Sequence, residues 1–335
     1  MRRASSCLLA AVFAAACGGS SATAPTSPMA PSGTQVPAAS RVASDYINEV
    51  VNTMQSNSIN RDRINWVDFK SQVFQRAAGA QTITDLVPAI ALALGLLDDH
   101  HSFYQAAVGG GIGNPRGPGC SGGAAPAVFP PPGIGYVKVA AFSSTTAGAD
   151  RAFADTIQQQ IRTADTPTLA GWIVDVRGNG GGNMWPMVAG VGAVLGDGIA
   201  GYFVPPSGSA LEWSFRGGAS YSGSSEIVRT STLYTLLTPG APRVAVLTDN
   251  LVASSGEAVV VSFRARPNTR SFGSATCGLS TANTGFRLSD GGTLQLTTAV
   301  MADRTRTTYG VPIAPDETVS DMEVVARAIA WLLGE

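Results

Sequence analysis

Apolar positions change their period along the chain, and the changes divide it. Val42, Tyr46, Val50 and Met54 keep a helical stripe, as do Trp66, Phe69 and Val73, and then Leu86, Ile90, Leu94 and Leu97. Residues 41–99 therefore predict two to four helices, and residues 41–112 a small N-terminal helical subdomain ending near "LLDDHHSFY". A Gly/Pro-rich stretch from Gly109 to Pro132 reads as a loop. From 134 onward short β runs alternate with helices. "IGYVKVAAF" predicts a strand, and residues 147–163 a helix with Phe153, Ile157 and Ile161 turned inward. "LAGWIVDVR" is nearly continuous in apolar character, which suits a strand buried on both faces. "PRVAVLTDN" predicts another strand, with a helix through "EAVVVSFRA" behind it. "GGTLQLTTAVMAD" adds one or two strands, and residues 320–333 a terminal helix. Strand alternating with helix predicts an α/β core over residues 113–335. No internal repeat is present.

With 335 residues, 44% hydrophobic and 13% charged, the chain can form one large domain or two small ones. A net charge of −1 without blocks of like charge argues against nucleic acid or an anionic membrane surface as partner. Before the helices, Arg2 and Arg3 precede "CLLAAVFAAAC", an apolar run too short to span a bilayer and suited to a secretory signal. It closes on Ala14-Ala15-Ala16-Cys17-Gly18, which resembles a bacterial lipobox, although Ala14 stands where leucine is usual. Residues 1–17 are thus expected to be a lipoprotein-type signal with Cys17 as the lipidated residue; an ordinary cleaved signal is the plainer alternative. Losing residues 1–16 removes Arg2 and Arg3 and takes the net charge from −1 to −3. Residues 18–40 are rich in Gly, Ser, Thr, Pro and Ala without charge, a flexible tether. The expected location is the bacterial cell envelope, with membrane contact through the lipid anchor only. Past the signal only Cys120 and Cys277 remain, and an oxidising compartment would allow them to pair. Two free, small apolar side chains is the alternative.

Candidate chemistry lies at three places. In "DNLVASSGEA" (249–258), Ser254-x-x-Glu257 has the form of a capping box, which explains both residues without catalysis. A strand-to-helix turn also exposes unpaired N–H groups and a positive dipole end, which would suit a serine nucleophile. In "VDVRGNGGGN" (174–183), a buried strand runs into Gly178, Gly180, Gly181 and Gly182. This is a near miss for a dinucleotide fingerprint, with Asp197 as its acid, or else a turn whose amides form an oxyanion hole. The third place is "LDDHHSFY". His100 and His101 are the only histidines, and the only lysines are Lys70 and Lys138, neither beyond Ser254. A serine nucleophile needs a base, and an imidazole base must be one of these two.

Taken together, the histidine before "SF", the "GYVKVAAF" strand, "VDVRGNGGG", "VASSGE" and the closing "PIAPDE" resemble the C-terminal processing (tail-specific) serine protease family. The resemblance spans most of residues 85–320 and leaves the dinucleotide motif without support. It implies a crotonase-like β/α core, Ser254 as nucleophile, and oxyanion amides from Ser255 and from Gly181 or Gly180. It implies a peptide or protein substrate and no cofactor or metal. The family's lysine turn reads Thr276-Cys277-Gly278-Leu279 here, so the dyad lysine is replaced by Leu279. Only residues 105–132 separate "HHSFY" from "GIGYVKV", too few for the peptide-binding PDZ domain of many members. Both departures resemble the Ser–His branch, typified by the nisin-resistance protease and the tricorn core, which puts the base at His101 with His100 as understudy. The group orienting His101 stays open among Asp99, Asp303 and Tyr309. A non-catalytic ligand-binding relative and a crotonase-type acyl-CoA enzyme are the readings from other classes.

Overall fold

Three helices occupy the stretch of helical stripes: α1 (Arg41–Asn57), α2 (Trp66–Arg76) and α3 (Val87–Leu96). Local chemistry sets their starts. The Ser40 side chain accepts from Ala43 N–H, Asn65 accepts from Val67 and Asp68 N–H, and proline stands in the first turn of α3. The structure, a computed structural model, describes residues 38–335 apart from 116, 118, 123, 124 and 239. The signal, Cys17 and nearly all of the tether lie outside the described residues.

The chain continues through β1 (Phe103–Gln105), β2 (Gly111–Ile112), β3 (Ile134–Lys138), α4 (Ala149–Ala164), β4 (Gly171–Asp175) and α5 (Met184–Leu195). Four strands follow, β5 (Gly198–Val204), β6 (Leu211–Arg216), β7 (Ala219–Ser222) and β8 (Ser225–Arg229), then β9 (Val244–Thr248) and α6 (Ser255–Phe263). The last elements are β10 (Thr269–Gly273), β11 (Thr281–Arg287), β12 (Thr293–Ala302), β13 (Glu317–Thr318) and α7 (Val324–Leu333).

Two sheets result. One is parallel, in the order β13-β10-β9-β4-β3. Every residue of β4 and β9 is buried, as a doubly covered parallel strand requires. Their side chains alternate: Trp172, Val174, Val244 and Val246 join the core under α4, α5 and α6, while Ile173, Ala245 and Leu247 join the core under α7. The free edge of β3 is blunted by α4, where Gln160 Oε1 accepts from Lys138 N–H at 3.0 Å and Gln160 Nε2 donates to Lys138 O at 3.2 Å.

The other sheet is antiparallel, in the order β2-β1-β12-β5-β6-β7-β8 with β11 also on β12. Leu294 and Leu296 of β12 and Tyr104 of β1 pack into the helical core with Val50, Ile90 and Leu94. A bulge opposite Ala282/Asn283 then changes the strand's register, and Met301 joins the core of the parallel sheet. One strand thus serves both cores, and residues 38–335 form one compact unit.

The sequence left some of this unread. β5 to β8 and β11 go unassigned by the pattern; β7, β8 and β11 carry few apolar residues, and β8 and β11 expose much of their length, so no clean alternation marks those three. The Gly109–Pro132 segment contains β2, and "GGTLQLTTAVMAD" is one strand rather than two. Cys120 and Cys277 form a disulfide with Cα atoms 5.3 Å apart. It ties the loop after β2 to the segment between β10 and β11, and both rest on the β9–α6 turn, where Ser121 N–H donates to Asn250 Oδ1 at 3.0 Å and Cys277 N–H to Val252 O at 2.8 Å.

The bridge spans 157 residues, for which chain-entropy models give about 5 kcal/mol and experiments commonly about 2–4. Reduction with dithiothreitol, or Cys120→Ser with Cys277→Ser, is expected to lower the melting temperature by several degrees. An unchanged melting curve, or two titratable thiols in the native unreduced protein, would contradict the bridge.

Candidate active site

The parallel sheet delivers Ser254 at the end of β9. Asp249 Oδ1 accepts from Leu251 N–H and Gly178 N–H, both at 3.0 Å, and so bends the chain out of the strand and ties it to the end of β4. Ala253 N–H then donates to Asn179 O at 3.0 Å. Ser254 follows at φ 53°, ψ −116°, a region that L-residues occupy only when the surroundings enforce it. The capping arrangement expected from the sequence is present, but its two arms differ. Ser254 N–H donates to Glu257 Oε2 at 2.9 Å, and the Ser254 oxygen faces the Glu257 N–H as an acceptor only, its own hydroxyl hydrogen donated to no group among the described residues. Ser255 Oγ, by contrast, donates to Gly182 O at 2.6 Å. Of the two adjacent serines, only the first keeps its hydroxyl proton uncommitted.

Glu257 is completely buried beneath this turn. Besides the Ser254 amide it accepts from Thr276 Oγ1 at 2.6 Å and Gly278 N–H at 3.0 Å. The carboxylate thereby joins the serine turn to the segment carrying Cys277. Burial pushes its carboxyl up to about 7, against the pull of these donors.

The glycine run lies alongside, fixed by Asn179, which is also fully buried. Asn179 Nδ2 donates to Val139 O at 3.1 Å, and Gly181 N–H donates to Asn179 Oδ1 at 3.0 Å. Glycine is required where the two turns touch. A Cβ on Gly181 would stand 2.9 Å from the Ala253 carbonyl and from Ser254 Cβ, and one on Gly256 would overlap Asn179 O. The Gly181 bond corrects one sequence expectation. Its amide is spent on Asn179, so it is not a free oxyanion donor. Gly180 and Ser255, the other two expected amides, line the cleft and make no amide hydrogen bond among the described residues.

His101 enters from the other sheet, two residues before β1. Its Nδ1 lies 2.7 Å from Thr281 Oγ1 at the start of β11, and Asn283 Nδ2 donates to its carbonyl at 3.0 Å. With Nδ1 engaged, Nε2 is the ring nitrogen left for chemistry. Asp99 holds the main chain instead of the ring: its Oδ1 accepts from His101 N–H at 3.1 Å and Ser102 N–H at 2.9 Å. Asp303 accepts from Thr305 and from Tyr309 OH at 2.8 Å, so neither Asp303 nor Tyr309 orients the imidazole. That partner is Thr281, an ordinary strand threonine that no sequence signal marks. His100, at φ 61°, leaves its side chain half exposed beside Asp98. Burial pushes the His101 imidazole down to about 4, so it is neutral and able to accept a proton near pH 7.

Ser254 and His101 face a common cleft of about 950 Å³. Leu279 lines it where the lysine of the Ser–Lys branch was expected, and Met184, Trp185, Phe203 and Met301 supply apolar walls. Lys138 is no substitute base, because its Nζ donates to Arg177 O at 2.5 Å and pairs with Asp175 at 3.3 Å.

A model of peptidase family S41 matches residues 133–319. The nisin-resistance protein of Lactococcus lactis subsp. lactis is 36% identical over 163 residues, 48% of this chain and 49% of that protein. The chain thus spans about half the length of this curated relative. A lipoprotein from Streptococcus agalactiae shares the fold with a TM-score of 0.67 at 20% identity, over 88% of this chain and 97% of its own. A photosystem II D1 C-terminal processing protease does so at 0.50 and 16%, over 86% and 97%.

The two buried titratable groups oppose each other in pH. Between about 4 and 6.5 the unfolded chain takes up a proton at His101 that the folded protein refuses, so folding strengthens as pH rises. Between 4.5 and about 7 the folded protein keeps a proton on Glu257 that the unfolded chain has lost, so folding weakens as pH rises. In urea titrations at successive pH values, His101→Gln should make the stability slope more negative than the parent's, and Glu257→Gln more positive. Each change should approach about 1.4 kcal/mol per pH unit. Constant offsets across the range would contradict both shifts.

Proposed function

The chain belongs to peptidase family S41, and on that premise we propose that it is a serine endopeptidase working through a Ser254–His101 pair and an acyl-enzyme. The observation that carries this reading is the shared cleft: a strained turn offers the Ser254 hydroxyl where His101 also opens. Ser254 Oγ attacks a peptide carbonyl and gives its proton to His101 Nε2. The Gly180 and Ser255 amides, at the glycine run and the helix N-terminus, hold the oxyanion. The imidazolium then protonates the departing amine, and a water activated by the same ring releases the acyl group. Thr281 keeps the ring in place through Nδ1. Ser254 and His101 are not hydrogen-bonded to each other in this structure, so substrate entry completes the pair.

Substrates on this reading are peptides or C-terminal regions of proteins, as the names of the similar proteins suggest. The signal-like N-terminus and Cys17 support a lipid-anchored location in a bacterial cell envelope. A non-catalytic binder or an acyl-CoA enzyme would use the fold without a reactive serine, and a fluorophosphonate separates them.

Ser254→Ala should abolish both fluorophosphonate labelling and peptide hydrolysis while costing about 1 kcal/mol or less of stability. Ser255→Ala should stay labelled. The reverse pattern would move the nucleophile by one residue, and an unlabelled parent would refute the peptidase reading. His101→Ala should lower kcat by several orders of magnitude and His100→Ala only mildly. The acid limb of the pH–rate profile should lie below the 6.5 of an ordinary histidine, toward about 4.

Thr281→Val should lower kcat about tenfold with little change in KM or melting temperature, and Thr281→Ser should restore it. Full activity in the valine variant would show that Thr281 does not orient His101.

A further inference from the structure

Burial alternates through β1 and the two residues that lead into it. Ser102 and Tyr104 are buried, with Tyr104 in the helical core, while His101, Phe103 and Gln105 share the opposite face. All three line the cleft. The surface that begins at the imidazole therefore continues along the strand, to Phe103 about 7 Å away and Gln105 about 13 Å away at roughly 3.3 Å per residue. Gln295 of β12 stands directly opposite Phe103, with its amide over Gly285, which has no side chain to obstruct it. Phe103 and Gln105 also line an adjoining depression of about 520 Å³, which runs on to the hairpin glycines 109–111. The two hollows are continuous through these two side chains.

Direction follows from the chemistry. The group that protonates the departing amine must touch its nitrogen, so the chain beyond that nitrogen leaves from the His101 side. Building on the proposed peptidase reading, we infer that the face carrying Phe103, Gln105 and Gln295 is a binding groove for the leaving segment of the substrate, taking about four extended residues beyond the cut bond. Its chemistry is uncharged. Gln295 Nε2 donates to Gln105 Oε1 at 3.5 Å, so the two carboxamides stand side by side. Their remaining donors and acceptors can bond a peptide backbone or Ser, Thr, Asn or Gln side chains, while Phe103 offers a flat apolar surface next to the scissile bond. The hairpin glycines leave the far end open to an extended chain.

The test uses a cleavage site mapped by mass spectrometry in denatured β-casein, rebuilt as quenched fluorescent peptides with one to five residues after the cut. The parent's kcat/KM should rise at least tenfold from one to four such residues and then level off. In Gln105→Ala, Gln295→Ala and Phe103→Leu the ratio of the four-residue to the one-residue peptide should fall toward unity, mainly through KM. Because the ratio is taken within each variant, a loss of folded protein cancels. A parent indifferent to the number of leaving residues overturns the groove, as do variants that lose equally on all lengths. A parent with no fluorophosphonate labelling and no hydrolysis overturns the peptidase reading as well, so the two failures are distinguishable.

Discussion

The cleft depends on how closely two strand-end turns approach one another. The glycine run after β4 and the serine turn after β9 touch backbone to backbone, with no space for a side chain at Gly181 or Gly256. Two fully buried polar side chains hold that seam, Asn179 from one side and Glu257 from the other. Both satisfy main-chain groups that would otherwise be buried without partners, a cost of about 1–3 kcal/mol each. The same bonds hold Ser254 in a conformation it would not adopt alone. The strain is local, whereas the restraint is spread over β4, β9 and the segment around Cys277.

The histidine obeys a different constraint. It belongs to the antiparallel sheet and is set by Thr281 and Asn283, so its position relative to the serine depends on β12, the strand shared by both cores. The bulge on β12 is what allows one strand to bury Leu294 against helices and Met301 against the parallel sheet. Burial then does chemical work on both sides of the cleft, keeping the imidazole neutral and the carboxyl partly protonated near neutral pH.

Much of this was legible in the residues. Continuous apolar runs marked β4 and β9 because burial on both faces leaves polar residues no place. The pairing of "VDVRGNGGG" with "VASSGE" pointed to two turns that the fold packs against each other, because close approach demands glycine and a helix start demands a cap. Thr281 and Asn283 were invisible for the opposite reason. They act by position across 180 and 182 residues, and a threonine or asparagine in a half-exposed strand is unremarkable in any local window. Gly181 misled because the glycine pattern shows where amides are bare of side chains, not which of them a buried asparagine has already engaged.

The separation of these parts along the chain sets an order in time. A polypeptide made or moved N-terminus first presents His101 long before Thr281, the residue that holds its ring, and before Ser254. Until β11 and β12 have paired, the imidazole has no seat and the helical layer lacks the sheet that closes its core. A half-emerged chain therefore holds the residues of one side of the cleft without the groups that position them. The fold makes two late strands, β11 and β12, the condition for seating the imidazole and closing the helical core.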